Sequence, residues 1–398
     1  MGKKSLLIHR ITKMHGQRTE GLISSLYRNL LTDKEGTSAT LPFFFHSVEA
    51  LSHHIPFDNK TKKALENLTR LHRMRIPLFY LHLMERDNPS CPIRQQAVPS
   101  IQEMKGGGQE DPLSEQAYSA TPALLKKHPN RAVFLVSSRC AMYCRFCNRK
   151  RLVGKGWNPE AYRKESLQYI EKDPDLREII LSGGDPFMLA SEEIGTILLQ
   201  LRGMRNIRTI RISTRMPVVF PEGFTEAHLK EIKKYSPLWI VIHINHPREV
   251  SPEFLELVKK IRETGNMLIS QTVLLRNVND CPYVLLKLFD MLVASGIKPY
   301  YLFQLDEVRG ASHFKVRLEK GIEIMRTLRE HASGLAMPQY ALDITGGLGK
   351  VPVDYVYIKG QDRKNIDVES ISGVTGSYLN DGKKSVCMNC GICKDNNQ

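Results

Sequence analysis

Cys140-Ala-Met-Tyr-Cys144-Arg-Phe-Cys147, shortly after the apolar run Ala132-Val-Phe-Leu-Val136, is the stretch on which the reading of this chain turns. Three thiols within eight residues, with gaps of three and two, can wrap one corner of a small inorganic cube. A [4Fe–4S] cluster with four Cys ligands is coordinatively complete, whereas three leave one iron open to another ligand. The alternatives are a zinc site or scattered buried thiols. Zinc motifs favour paired C-x2-C segments and four ligands, and no fourth Cys or His lies close by in sequence.

Outward from this loop the chain alternates. Apolar, β-rich runs fall at 132–136, 178–181, 207–212, 238–244, 267–273 and 299–303. Between them lie helical patterns at 159–172, 191–201, 225–234, 251–263 and 283–294, with 319–331 after the last. Ser251-Pro252 reads as a helix start, a capping side chain followed by a first-turn proline. Such alternation predicts βαβ units on a parallel sheet. Six units are too few for a closed eight-stranded barrel, so the expected fold is α/β, a partial (β/α)6 barrel of TIM type spanning 131–345. In parallel α/β folds the chemistry gathers at the C-terminal strand ends. There the sequence places the Cys loop, Ser182-Gly-Gly-Asp-Pro186, Ser213-Thr-Arg215, His243-Ile-Asn245, Gln271 beside Thr272, and Gln304-Leu-Asp306. All are expected to face one mouth.

Residues 1–130 are expected to form a mostly helical N-terminal arm, with apolar residues at helical spacing over 20–31 and 59–75. A Pro- and Gly-punctuated, irregular stretch over 88–122 follows. No run approaches the ~20 apolar residues of a membrane span. The start of the chain lacks the apolar core and cleavage site of a signal peptide. Eight Cys, six of them in two tight clusters, indicate metal binding in a reducing compartment rather than a disulfide framework. A cytoplasmic protein is therefore expected. The net charge of +15 admits a nucleic-acid surface, or a solvated surface with pockets for phosphate and carboxylate. Lys and Arg are spread along the chain and no RNA-binding module stands out, which favours the second.

Residues 346–398 form the third expected region, and two motifs mark it. Thr345-Gly-Gly-Leu-Gly349-Lys350-Val-Pro is not a phosphate-binding P-loop, which needs Ser or Thr after the lysine where this chain has Val351. Glycines let a flat ring approach the backbone. A lysine among apolar neighbours loses ammonium solvation, which lowers its pKa and frees the amine to form a Schiff base. Pyridoxal phosphate (PLP) is the aldehyde such a lysine would take, although alone a Gly-rich turn ending in Lys is more often structural. Cys387-Met-Asn-Cys390-Gly-Ile-Cys393 lies near the end of the sequence. Tetrahedral zinc would need a fourth ligand from elsewhere; an auxiliary iron–sulfur cluster and idle thiols are the other readings.

The Cys loop with Phe146 matches the C-x3-C-x2-C loop of the radical S-adenosylmethionine (SAM) superfamily, and Gly183-Gly184-Asp185-Pro186 resembles its GGDP-type motif. Together with Gly346-Gly-Leu-Gly-Lys350, Arg75-Ile-Pro, Cys91-Pro-Ile-Arg-Gln-Gln-Ala-Val-Pro99 and Asn279-Asp-Cys281, these motifs resemble the lysine 2,3-aminomutase family from about residue 70 onward. The resemblance implies that Cys140, Cys144 and Cys147 hold a [4Fe–4S] cluster whose open iron is chelated by SAM. It implies that Gly183, Gly184 and Asp185, with His243 and Gln271, form the SAM side of the site. Lys350 would carry PLP, with Arg131 and Lys127 on the PLP side; the family has arginine at the position of Lys127. Arg149 would pair with the α-carboxylate of an amino acid substrate, a bond suited to a planar two-donor fork. Asp306 and Asp343 would receive a side-chain ammonium. Cys281 would join Cys387, Cys390 and Cys393 on zinc, although the family has one residue, not two, between the first two tail cysteines. A flavodoxin- or ferredoxin-like reductant and a homo-oligomer are implied as well.

The implied activity is a SAM- and PLP-dependent 2,3-aminomutase converting L-lysine to L-β-lysine. Arginine, ornithine and glutamate remain open as substrates, as does a radical SAM enzyme modifying RNA or protein. Two carboxylates facing one pocket favour a cation and repel a glutamate side chain.

Overall fold

Ten strands form the main sheet, side by side in the order in which the chain makes them. They are β1 (Ser119–Thr121), β2 (Leu124–His128), β3 (Arg131–Ser137), β4 (Glu178–Gly183), β5 (Thr209–Thr214), β6 (Trp239–His243), β7 (Met267–Leu274), β8 (Lys298–Gln304), β9 (Gln339–Ile344) and β10 (Gly349–Pro352). β3 through β9 run parallel. At the edges the pairings are antiparallel: β1 with β2, β2 with β3, and β10 with β9. The computed structural model describes residues 44–361, 365–371 and 373–379. Internal contacts divide the chain into two units, 1–44 and 45–398, and everything below concerns the second. The helix expected over 20–31 lies outside the described residues.

Parallel neighbours require a crossover after each strand. Six helices supply it: α1 (Arg163–Lys172), α2 (Ser191–Gly203), α3 (Glu226–Lys234), α4 (Pro252–Glu263), α5 (Pro282–Ala294) and α6 (Leu318–His331). Each lies between two consecutive parallel strands, close to where the periodicity places it. In α2 the buried stripe is Ile194, Ile197, Leu198 and Leu201, the spacing of one helix face. Each such side chain contributes on the order of 1.5–3 kcal/mol when fully withdrawn from water. The Ser251 hydroxyl accepts from the Phe254 amide at 3.1 Å with Pro252 in the first turn, so α4 starts as the sequence indicates.

Two features extend the six-strand reading. Gln339–Ile344 is a seventh parallel strand, paired with β8. Only Tyr340 and Ala341 in it are fully buried, and its apolar stretch, Tyr340-Ala-Leu342, is short and bounded by Gln339 and Asp343. The hairpin of β1 and β2, which falls within the expected helical arm, pairs with β3 and belongs to the same sheet. Ahead of it, the helix expected over 59–75 ends at Leu71. The chain then turns extended, and its carbonyls receive the Cys loop: the Tyr143 amide donates to Arg75 O at 3.0 Å. Side chains from β2 through β10 line one cavity of about 840 Å³, so the sheet curls around it as a partial barrel.

Candidate active site

The Cys loop leaves β3 without regular structure, and side chains hold it in place. Arg145, between two of the thiols, points away from the cavity and is fully buried against Glu103, with Nε–Oε1 at 2.8 Å and Nη2–Oε2 at 2.6 Å. On the cavity side, Arg215, which directly follows β5, places Nη1 2.7 Å from Cys144 Sγ. Its Nη2 donates to Glu249 Oε1 at 2.7 Å and to Gln96 Oε1 at 2.6 Å. Burial disfavours the Arg215 charge, and Cys144 and Glu249 outweigh it, holding the guanidinium well above its ordinary value.

Cys140, Cys144 and Cys147 all open onto the cavity. Burial, followed by nearby acidic groups that include the other sulfurs, raises the Cys140 thiol and pushes Cys147 up to about 11. Among the described residues no three Cys, His, Asp or Glu side chains converge on one metal ion. A cube places no such demand, because each of its irons takes a separate thiolate. Three thiols at one mouth, with a fixed cation against one of them, fit a cluster that loads with release of thiol protons.

Gly183 and Gly184 lie at the end of β4, and the protein's own backbone is what approaches them closely. A Cβ on Gly184 would lie 2.3 Å from Arg139 O, and one on Gly183 2.4 Å from Ser137 O. Asp185 then donates its amide to Arg139 O at 2.7 Å. Its carboxylate accepts from the Thr214 hydroxyl and from the amides of Phe187, Arg215 and Met216. Thus Asp185 braces the Cys loop against the end of β5. Although it lines the cavity, its oxygens are already committed within the protein.

His243 and Gln271 are register partners on β6 and β7, and both line the cavity. Burial and the Arg215 charge lower the imidazole to about 3, so it is neutral. Asn245 Oδ1 accepts from the Val273 amide at 2.9 Å and lies 3.1 Å from His243 Nε2. The Nε2 atom therefore carries the proton, and Nδ1 is left as an acceptor.

At the other wall, antiparallel pairing puts Lys350 of β10 directly opposite Asp343 of β9, with Nζ 3.4 Å from Oδ2. Nζ also sits 4.0 Å from the ring centroid of Phe303 and 4.6 Å from that of Tyr301. The Lys350 side chain keeps 31% exposure, yet desolvation lowers its ammonium below the ordinary lysine range despite the opposing Asp343 charge. Asp306, just past β8, is pushed up to about 6 by burial and by Asp343, while Asn148 Nδ2 donates to it at 2.8 Å. Lys127 and Arg131 line the same cavity, Lys127 Nζ lying 5.5 Å from the Tyr118 ring centroid. An aldehyde ring beside a desolvated amine, with its phosphate toward two cations, fits these residues.

Arg149 does not present a free fork. Its Nε and Nη2 donate to Glu115 Oε1 at 3.0 and 2.7 Å, and its Nη1 to Ser182 Oγ at 3.1 Å. Glu115 was not legible in the sequence; it is a single acid in an irregular stretch, with no periodicity or motif to mark it. The same holds for Glu103 and Glu249, whereas Gln96 lies inside the Cys91–Pro99 stretch that carries the resemblance, without a role assigned to it there. Cys281 is exposed at the start of α5 and does not line the cavity. Cys387, Cys390 and Cys393 lie outside the described residues.

Residues 134–288 match the model of the radical SAM superfamily. The chain is 38% identical over 347 residues to the L-lysine 2,3-aminomutase of Methanococcus maripaludis, covering 85% of this chain and 80% of that protein. It is 34% identical over 351 residues to that of Clostridium subterminale, covering 87% and 84%. A glutamate 2,3-aminomutase of Clostridioides difficile is 32% identical over 320 residues, covering 79% and 76%. A loop of three thiols and a desolvated lysine on two walls of one cavity agree with that kinship, and the chain belongs to the lysine 2,3-aminomutase family of radical SAM enzymes.

Proposed function

We propose that this chain moves the α-amino group of L-lysine to the β-carbon, giving L-β-lysine. The observation that carries the reading is that Cys140, Cys144 and Cys147 share one cavity with Lys350, Asp306 and Asp343. A cluster held by Cys140, Cys144 and Cys147 would supply the electron for reductive cleavage of SAM, and PLP held by Lys350 would delocalise an unpaired electron on the substrate. The electron would come from a flavodoxin- or ferredoxin-like carrier in a reducing cytoplasm.

The protein's own residues bind, orient and exclude water. Lys350 Nζ must lose a proton before it reacts with an aldehyde; desolvation favours that loss, against the Asp343 carboxylate at 3.4 Å, which holds the charge. Asp306 and Asp343 draw the side-chain ammonium to one end of the substrate, and Arg149 takes the α-carboxylate at the other. Two fixed ends hold the β-hydrogen in a single place, which is the chief service a protein renders to radical chemistry. A glutamate side chain would bring a third carboxylate to the acid pair, at a cost in repulsion. Cys281, exposed and free, would join the three tail cysteines on zinc.

Anaerobic incubation with SAM, PLP, dithionite and each candidate amino acid, followed by detection of β-amino products, tests the reading. L-β-lysine is expected from wild type. Lys350→Ala is expected to lose the PLP absorbance band and turnover together. Product from glutamate in preference to lysine overturns the substrate assignment.

A further inference from the structure

Residues 111–118 form one short segment that touches both walls of the cavity. Toward Lys350, Pro112 O accepts from the Gly346 amide at 2.9 Å and the Tyr118 hydroxyl donates to Gly347 O at 2.9 Å. Gly347 adopts φ 78°, and a Cβ there would lie 2.6 Å from the Tyr118 ring and 2.7 Å from Leu113 O. This glycine thus admits the segment 111–118 itself. Toward the Cys loop, Glu115 accepts from Arg149 through both oxygens and from Arg151 Nη2 at 2.6 Å. Arg151 is shared with Asp111 at 3.2 Å. Burial works against the Glu115 charge, but the two guanidiniums overcome it and hold the carboxyl below its ordinary value.

We propose that Glu115 is a positioning residue that decides which edge of the Arg149 guanidinium meets the substrate α-carboxylate, and that Ser182 completes that edge. The inference rests on the assignment of Arg149 to that carboxylate. A guanidinium carries five N–H donors in a fixed plane. Glu115 consumes the Nε–Nη2 edge, which leaves the Nη1 side for a ligand. Ser182 Oγ accepts from Nη1, so its own O–H remains to donate. Glu115, Arg149 and Ser182 all line the cavity. A planar carboxylate is recognised best by donors locked in one orientation, and a guanidinium freed to rotate loses that advantage. Gln at position 115 offers one oxygen where two guanidiniums now share two.

The test uses reconstituted holoenzyme without reductant, so that binding is read without turnover. Dissociation constants are measured for L-lysine and for 1,5-diaminopentane, which has both amines and no carboxylate. Wild type is expected to prefer L-lysine. Glu115→Gln is expected to cut that preference by about tenfold, the scale of a charged hydrogen bond, with diamine binding unchanged. Ser182→Ala is expected to cut it by about threefold. In an Arg149→Lys background, Glu115→Gln should have no further effect on the preference, a non-additivity that general loss of packing would not produce. Should Glu115→Gln fail to load its cofactors, Glu115→Asp keeps the charge, shortens the reach and is expected to act in the same direction. A preference that is retained, or raised by loss of the negative charge, or an additive double variant, overturns the role of Glu115. Absence of any preference in wild type overturns the Arg149 assignment itself, and the proposal with it.

Discussion

Arg145 and Arg149 stand one turn of sequence apart in the Cys loop, each paired two-pronged with a glutamate from the preceding segment, and they do different work. Every edge of Arg145 is consumed by the protein: Nε and Nη2 by Glu103, Nη1 by Arg73 O at 3.0 Å. Its side chain is 2% exposed and Glu103 is 0% exposed. Arg149 spends one edge on Glu115 and one Nη1 hydrogen on Ser182 Oγ, and keeps donors in reserve at the cavity. An arginine whose donors are all used fastens a loop; one with donors in reserve is equipped to bind. Motif spacing places both residues in the same stretch but gives no means of separating them, because the difference lies in distant partners.

That contrast is open to attack by substitution. The largest effect is expected from Arg145→Met, which leaves the buried Glu103 with the Ser100 amide at 3.1 Å and Lys150 at 3.7 Å but no guanidinium. Breaking one side of a buried ion pair costs about 3–5 kcal/mol, measurable by urea unfolding of the cofactor-free chain. Arg145→Met combined with Glu103→Leu should recover much of the loss, since the cost comes from the abandoned charge. Full stability in Arg145→Met would remove the distinction between the two arginines. Arg149→Gln should be milder on stability, under about 1.5 kcal/mol, because Arg151 still pairs Glu115. Its kcat/KM for lysine should fall by about a hundredfold, the scale of a two-donor charged contact. An unfolding penalty as large as that of Arg145→Met, with kcat/KM intact, would mark Arg149 as a second fastener.

Local signals carried most of what the sequence told. Helical and alternating periodicities placed the six crossover helices, and motif spacing picked out Cys140, Cys144, Cys147 and Lys350, which the fold brings to one cavity. β9 escaped because its apolar stretch, Tyr340-Ala-Leu342, is short, has alanine at its centre and is bounded by Gln339 and Asp343. The partnerships of Glu103, Glu115 and Glu249, and that of Gln96 within its motif, escaped for another reason. Each residue becomes meaningful only through a partner 34 to 119 residues away in the chain, and an isolated acid or amide has no period to betray it. The sequence reads the glycines as room for a ligand; at Gly184 and Gly347 the group that a Cβ would meet is the protein itself.

The acid pair sets the smallest effect and the one with the sharpest sign. Asp306 is pushed up to about 6, first by burial and then by Asp343. A carboxylate attracts an ammonium only when ionised, so lysine affinity should weaken as pH falls through about 6, well above the ordinary aspartate range. Folding stability should move the other way. The folded, substrate-free protein takes up a proton on Asp306 at a pH where the unfolded chain has already released it, so this group stabilises the fold as pH falls and ceases to do so as pH rises through about 6. Asp306→Asn removes the titration from both profiles. Its lysine dissociation constant should be raised by about tenfold at pH 7.5 and vary less between pH 7.5 and 5.5. The thermal midpoint of the substrate-free variant should exceed that of wild type at pH 7.5 and approach it at pH 5. An affinity profile that still bends near pH 6 in Asp306→Asn would take the titration away from Asp306, and with it the ground for placing the substrate ammonium at this end of the cavity.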